Sequence, residues 1–507
     1  MKTYLSCFYS MAVLLGPLSA IWASDRPNIL FIMSDDHAYQ AISAYGSQLN
    51  RTPNIDRLAA EGTRFERCYV TDSICAPSRA CVLTGKYGHL NGVQDNFTVF
   101  DGSQQTLPKL LKSAGYQTAI IGKWHLKSDP TGFDYWEVLP GQGKYYRPRF
   151  RSKSGERDIE GYTTEVITDL AKEWLVDARD PDQPFFLMVH HKAPHRNWCP
   201  AVSHLTDFAG ETFPEPETLL DDYAGRSRCV SGFEMRIEQM KPTTDLKIWP
   251  KDNKDRVWLY DHMTQSEREV WEAQVDHRYK KYGNNQAVGL ERRRWMYQLY
   301  MQDYLSCIAS VDQSVGDILA TLGELGLRDD TLIVYTSDQG FYLGEHGWFD
   351  KRLMYEQSLR TPLLVSGPGV EKGAVNQDAI VSNLDFAETF LDYAGVEIPQ
   401  DMQGASLKPI LAGAKPEGWR SDFYYHYMEG PERDHHVSRH EGVTDGRFKL
   451  IHYYEEDEWE FYDLEHDAQE VRNLIGKPEY SDRIDASKQR LRALQIELES
   501  PRAKSPS

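Results

Sequence analysis

Cysteine is scarce, at seven in 507 residues, and no paired C-x-x-C units or zinc-ribbon spacings occur. That excludes a disulfide-stapled scaffold and a thiolate metal centre. At most one or two bridges are expected, with Cys199 and Cys229 as the candidate pair. Beyond the amino-terminal segment no run of about 18 apolar residues appears, which excludes a spanning helix. Cationic excess is missing too: 57 Lys and Arg stand against 76 Asp and Glu, a formal charge of −19. Nonspecific affinity for phosphate backbones comes from clustered Lys and Arg, so nucleic acid is an unsuitable partner. Charges are screened beyond ~8 Å at physiological salt, so a local cationic site remains compatible with this acidity. Internal repeats are absent.

What is present is a globular composition, 40% hydrophobic and 12% aromatic, long enough for one large α/β core and a smaller companion. Residues 1–23 have Lys2, an apolar stretch through Met11–Leu18 and small residues at Ala20 and Ala23. This is the layout of a secretory signal, which predicts a periplasmic or secreted protein. The domain expectation is 24–414 for the large unit, 415–500 for the smaller one, and a disordered tail over 501–507.

Four apolar runs end in polar groups. Asn28–Met33 leads to Ser34-Asp35-Asp36, Thr118–Ile121 to Gly122-Lys123-Trp124-His125, Pro184–Val189 to His190–His195, and Thr331–Tyr335 to Thr336-Ser337-Asp338-Gln339. Such runs suit strands buried on both faces of a parallel sheet. Ligands of open α/β sheets bind beside the carboxyl ends of strands, so these groups are expected to converge. Tyr300, Tyr304, Ile308, Val311, Val315, Ile318 and Leu322 recur at helical spacing and predict a core-facing helix. Residues 200–290 lack periodicity and read as an excursion beside the cleft. After residue 415, short aromatic segments (422–428, 442–444, 447–454, 458–463) around an Asp445-Gly446 turn predict an antiparallel sheet, closed by a helix near Ser481–Leu498.

Asp35, Asp36, Asp338 and Gln339 offer only oxygen ligands, which suits a hard cation such as Ca²⁺. The plain alternative for such strand-end acids is helix capping. Cys75-Ala76-Pro77-Ser78-Arg79, followed by Leu83-Thr84-Gly85, fits C-x-P-S-R-x-x-x-L-T-G. By itself a C-x-P would be a small buried cysteine at a helix start. The full string resembles the maturation signature of the type I sulfatases, whose cysteine a separate enzyme oxidises to formylglycine, an aldehyde that hydrates to a geminal diol.

The resemblance extends over nearly all of the mature chain. It implies an alkaline-phosphatase-like sandwich with a large, mostly parallel central sheet and a smaller C-terminal α+β unit. It implies one calcium held by Asp35, Asp36, Asp338 and the modified Cys75, with Gln339 where the family often has asparagine. A hydroxyl of the hydrated formylglycine would attack sulfur. Arg79 and Lys123 would hold the hydroxyls, His125 would take the proton from the remaining one so that the covalent sulfate leaves and the aldehyde returns, and His195 and Lys351 would contact sulfate, with His195 protonating the alcohol. Gly132–Gly143, His190–Trp198, Pro214–Thr218 and Phe341–Arg360 resemble bacterial N-acetylglucosamine-6-O-sulfatases more closely. The implied reaction is exo-acting hydrolysis of the sulfate ester on a 6-O-sulfated N-acetylglucosamine. Another sulfated glycan, a phosphate or phosphonate ester, and a non-catalytic glycan-binding role are the alternatives. Among His426, His435, His436, Arg439 and His440, the last two are chosen as a sugar-facing rim.

Overall fold

Asn28–Ser34 is buried along its whole length because it has a parallel partner on each side and packed layers on both faces. Side chains alternate between the faces: Leu30 and Ile32 enter one core, Ile29, Phe31 and Met33 the other. The computed structural model describes residues 26–250, 253 and 256–504, so the leader at 1–23 lies outside the described residues.

Ten strands form the central sheet, in the order Ala374–Asn376, Gly62–Phe65, Leu363–Ser366, Thr331–Ser337, Asn28–Ser34, Phe185–His190, Gln117–Lys123, Tyr135–Leu139, Arg149–Ser152 and Gly155–Asp158. The five from Thr331–Ser337 to Tyr135–Leu139 are mutually parallel. Leu363–Ser366 runs antiparallel to both its neighbours, and two antiparallel strands finish the far edge. All four apolar runs singled out in the sequence are adjacent central strands, so their carboxyl ends line one edge.

The expected stripe from Tyr300 to Leu322 lies on one helix, Gly289–Glu324, and every residue of the stripe is buried. No helix among the described residues is long and apolar enough to cross a membrane. A separate antiparallel sheet comprises Phe423–Tyr427, His440–Thr444, Phe448–Tyr453 and Glu458–Asp463. The helix Ser481–Glu497 covers one of its faces through Ile484, Leu491 and Leu494. Tyr425, Tyr427, Ile451 and Tyr453 on the other face pack with Tyr342, Trp348, Met354 and Tyr355. The small sheet therefore braces the segment carrying Lys351.

Two expectations need correction. Cys199 and Cys229 are both free, as are the other four described cysteines. Cys199 packs in the large core and Cys229 against the aromatic cluster of the small sheet, so they serve different layers. The tail is ordered through Lys504: Pro501–Lys504 makes a 3-10 turn, fastened where Arg492 donates to the carbonyls of Arg502 and Ala503.

The helix Cys75–Thr84 is buried at all ten positions. It ends at Gly85, whose φ of 63° and N–H bond to the Cys81 carbonyl make a left-handed cap. A side chain there would meet Glu388 Oε1 at 2.8 Å. Burial, with Asp385 adding to it, pushes the Glu388 carboxyl up to about 8. Its folded-state value exceeds the unfolded one, so its contribution to stability is full below pH 4.5 and is lost as pH rises to about 8. Glu388→Gln is expected to flatten that decline in thermal melts across the window; parallel slopes for both proteins would refute this.

Candidate active site

Three aspartates meet where two neighbouring strands stop. Asp35 and Asp36 follow Asn28–Ser34, and Asp338 follows Thr331–Ser337. The loops are tied by Asp338 N–H to the Ser34 carbonyl at 3.1 Å and Asp36 N–H to Asp338 Oδ1 at 3.2 Å. One carboxylate oxygen from each lies within 4.8 Å of the others, and all three residues are buried. Asp36 holds a φ of 67°, a left-handed conformation that aspartate tolerates better than most residues.

Cys75 begins its helix next to this cluster, with Sγ 3.5 Å from Asp35 Oδ1 and 3.9 Å from both Lys123 Nζ and Gln339 Nε2. One helical turn on, Arg79 donates Nε and Nη2 to Asp338 Oδ2 at 3.0 and 2.8 Å, and Nη1 to the Lys123 carbonyl at 2.9 Å. Lys123, the last residue of Gln117–Lys123, donates to Asp35 Oδ2 and to Gln142 Oε1. Lys351 donates to both oxygens of Asp36 at 2.6 and 2.8 Å. Three buried cations thus face three buried carboxylates.

Burial opposes ionisation at all three acids, but Lys123, His195, Arg79 and Lys351 hold Asp35 well below the carboxylate range. Burial and then the Asp35 charge push Asp338 up to about 7. Burial, followed by Asp35, raises the Cys75 thiol to about 12. The encoded thiol is therefore protonated at neutral pH and a poor nucleophile.

His195 has Nδ1 on the Arg196 carbonyl at 2.7 Å and Nε2 3.8 Å from Asp36 Oδ2. A carbonyl only accepts, so Nδ1 carries the proton and Nε2 faces the site. Burial, followed by Lys123 and Lys351, holds this ring well below its ordinary value, Asp35 opposing. His125 adopts a φ of 56° and its Nδ1 has no partner among the described residues; burial and Lys123 depress it likewise.

The donor set suits a hard cation: three carboxylates and an amide oxygen, Gln339 Oε1, that is buried without a partner among the described residues. The Gln339 amide presents Nε2 to Asp36 Oδ1 and Cys75, and reversing it would put its oxygen there.

Beside Lys351, Asp350 and Arg352 are buried with φ of 76° and 103°. Arg352 Nη1 pairs with Asp350 Oδ2 at 2.7 Å, while its Nε has no partner among the described residues. Positive φ at a bulky residue costs energy and persists only where the surrounding structure holds it. His435 interacts electrostatically with this pair and is held by Glu429 at 3.1 Å; Glu429 accepts from Asn96 N–H, and Asn96 Oδ1 accepts from Ala76 N–H. A cleft of about 650 Å³ is lined by His195 together with Gln142, Lys192 and Trp258.

The family model described as Sulfatase matches residues 27–396, and that described as N-sulphoglucosamine sulphohydrolase, C-terminal, matches 344–497. The chain belongs to the sulfatase family. Among curated relatives, an N-acetylglucosamine-6-O-sulfatase of Bacteroides thetaiotaomicron is 49% identical over 470 residues, covering 90% of this chain and 84% of the relative. Human N-acetylglucosamine-6-sulfatase is 29% identical over 82% of this chain and 69% of its own length. A solved structure in complex with its substrate D-glucosamine-2-N,6-O-disulfate superposes with a TM-score of 0.92, at 46% identity, over 95% of this chain and all of that one. A phosphonate monoester hydrolase of Agrobacterium radiobacter, at 20% identity and TM-score 0.68, shares the fold alone.

In this sulfatase Asp35, Asp36, Cys75, Arg79, Lys123, His125, His195, Asp338, Gln339 and Lys351 gather in one place. His440 does not join a rim. It is fully buried, stacked on Tyr427 at 5.2 Å and tilted against Tyr425 and Tyr453, because it starts a strand whose side chains enter the aromatic core. Arg439 is neutralised by Glu432 and Glu455. Of that histidine-rich stretch, His435 is the one that acts electrostatically on the Asp350–Arg352 pair. Sequence reasoning also passed over Gln142, Lys192, Asp350 and Arg352; the charged triplet around Lys351 was the available signal for the last two.

Arg79→Leu would leave Asp338 buried without its main partner. The expected loss is on the order of 3–5 kcal/mol in urea unfolding, and an unchanged midpoint would contradict it.

Proposed function

We propose that this sulfatase is an exo-acting hydrolase of 6-O-sulfated glucosamine residues, N-acetylated or N-sulfated, exported to the periplasm or beyond. The observation that carries the reading is the gathering of Cys75, three aspartates, three cations and two histidines in a chain 49% identical, over 90% of its length, to an N-acetylglucosamine-6-O-sulfatase. The signal-like residues 1–23 support export.

Asp35, Asp36, Asp338 and Gln339, with the modified residue 75, would hold one Ca²⁺, which when bound supplies Lewis-acid polarisation of sulfate oxygens. Formylglycine made from Cys75 by a separate maturation enzyme supplies, as its hydrate, the nucleophilic hydroxyl that a thiol raised to about 12 cannot. Cys75 is 1% exposed, so a maturation enzyme reaches it only before the fold closes.

Arg79 and Lys123 fix the orientation of position 75 and offset charge there. Lys351 neutralises the sulfate oxygens as the ester enters. His125 accepts the proton of the second hydroxyl at position 75, so that the C–O bond to the transferred sulfate breaks, sulfate leaves and the aldehyde returns. His195 Nε2 delivers a proton to the departing alcohol oxygen; the anionic ester restores the proton affinity that burial removes, and the Nδ1 bond to Arg196 holds the ring in the productive tautomer. Asp350, Arg352 and His435 offer acceptors and donors to sugar hydroxyls, the pattern of a polar subsite on a braced loop.

Protein coexpressed with its maturation enzyme is expected to release sulfate from N-acetylglucosamine 6-sulfate, measured by ion chromatography, and to show an aldehyde at residue 75 by mass spectrometry. Cys75→Ala should reduce release to background. Faster release of phosphate from aryl phosphate than of sulfate from aryl sulfate would refute the assignment. For Arg352→Ala, the ratio of kcat/KM on the 6-sulfated sugar to that on aryl sulfate should fall about ten- to a hundredfold, the loss of a charged hydrogen bond. An unchanged ratio would remove Arg352 from sugar recognition.

A further inference from the structure

The cleft beside His195 has a charge opposite to that of the molecule. The chain carries −19, yet the described residues lining this cleft include Lys144, Lys192, Arg196 and Lys241 and no Asp or Glu. Arg196 is compensated by Asp245 directly beneath, at 2.7 and 2.8 Å. Lys192 is different. It is 4% exposed, its ammonium lies 4.8 Å from the Tyr145 ring centroid, and no carboxylate among the described residues lies within ion-pair distance. An ammonium this buried, against an aromatic face and with Asp35 and Asp36 acting on it only from beyond ion-pair distance, is costly to keep ionised. Burial, with Lys123 next, lowers it to about 8, so it remains mostly charged at neutral pH.

The rim continues the pattern. Lys144 is exposed and shares a 2.9 Å hydrogen bond with His262, while Trp258, 37% exposed, and Tyr145 supply flat apolar surface. Aromatic faces with converging cations suit a saccharide ring bearing an anionic substituent. The cleft joins the candidate active site directly: His195 belongs to both, and Gln142, another lining residue, accepts from Lys123.

Resting on the proposed 6-O-sulfate specificity, we infer that this cleft is a second-anion subsite, in which Lys192 and Lys144 bind a further sulfate or carboxylate of the same saccharide while its 6-sulfate occupies the site at residue 75. The subsite favours multiply charged termini over N-acetylglucosamine 6-sulfate. It also lets an acidic protein take a polyanionic ligand, since the attraction is confined to the cleft and the surrounding surface is screened.

The test compares three substrates on matured protein: N-acetylglucosamine 6-sulfate, glucosamine-2-N,6-O-disulfate, and a disaccharide of N-acetylglucosamine 6-sulfate with an adjoining uronic acid. The wild type should prefer at least one doubly charged substrate in kcat/KM. Lys192→Met should reduce that preference about tenfold, mostly through KM, as expected for one charge-assisted contact. Lys144→Ala, at an exposed position that folding tolerates, should reduce it in the same direction. Which doubly charged substrate loses its advantage identifies the anion as N-sulfate or carboxylate. No preference in the wild type, or equal losses on all three substrates in both variants, would overturn the subsite. If matured protein hydrolyses none of them, the 6-O-sulfate proposal fails separately. Dissociation constants for the same saccharides on Cys75→Ala protein, with and without Lys192→Met, then decide the subsite: a preference for double charge that Lys192→Met abolishes upholds it, and its absence overturns it.

Discussion

The contact on which the rest depends is the guanidinium of Arg79. It grips Asp338 with two nitrogens and the Lys123 carbonyl with a third, so one side chain fastens the helix that begins at Cys75 to two strand ends. Arginine suits this position because its planar fork presents several donors in fixed directions and stays charged when buried. Lysine, a point charge on a flexible stem, could satisfy the carboxylate or the carbonyl but would not fix the angle between helix and sheet. With that angle set, Cys75 falls beside Asp35, and Lys123 arrives already aimed at both.

Around this anchor the two sheets divide the labour. The central sheet presents Asp35, Lys123 and Asp338 from strand ends of one parallel set, so their separations follow from the spacing of that sheet. The small sheet contributes support from outside: Tyr425 donates to the Arg352 carbonyl, and the aromatic cluster beneath holds Trp348 and Tyr355. Lys351 and its neighbours stand on the seam. The unfavourable backbone at Asp350 and Arg352 persists because both layers constrain it.

Much of this was legible in the sequence for a definite physical reason. Strands buried on both faces read as uninterrupted apolar runs, and their polar endings mark where a parallel sheet delivers its chemistry. The Tyr300–Leu322 stripe was equally plain, because a helix on a sheet must repeat its apolar face. What escaped were contacts set by loop closure. Nothing in local pattern says that His440 turns into an aromatic stack while His435, five residues earlier, acts electrostatically on Asp350. Lys192 looked like one more cation after two histidines; only the fold shows it without a carboxylate partner. The Cys199–Cys229 expectation failed because sequence spacing carries no information on which layer each thiol packs in.

The wall of the cleft comes from chain that owes little to the sheet. Lys241, Thr244, Trp258 and His262 sit in the stretch between Phe185–His190 and the long helix, pinned largely by Asp245 to Arg196 and Asn197. A lineage can therefore rebuild this stretch, exchanging charge or aromatic surface, without disturbing a strand end or the arginine anchor. Substitutions in this wall would change which charges and rings a bound molecule meets while leaving the strand ends and the arginine anchor in place.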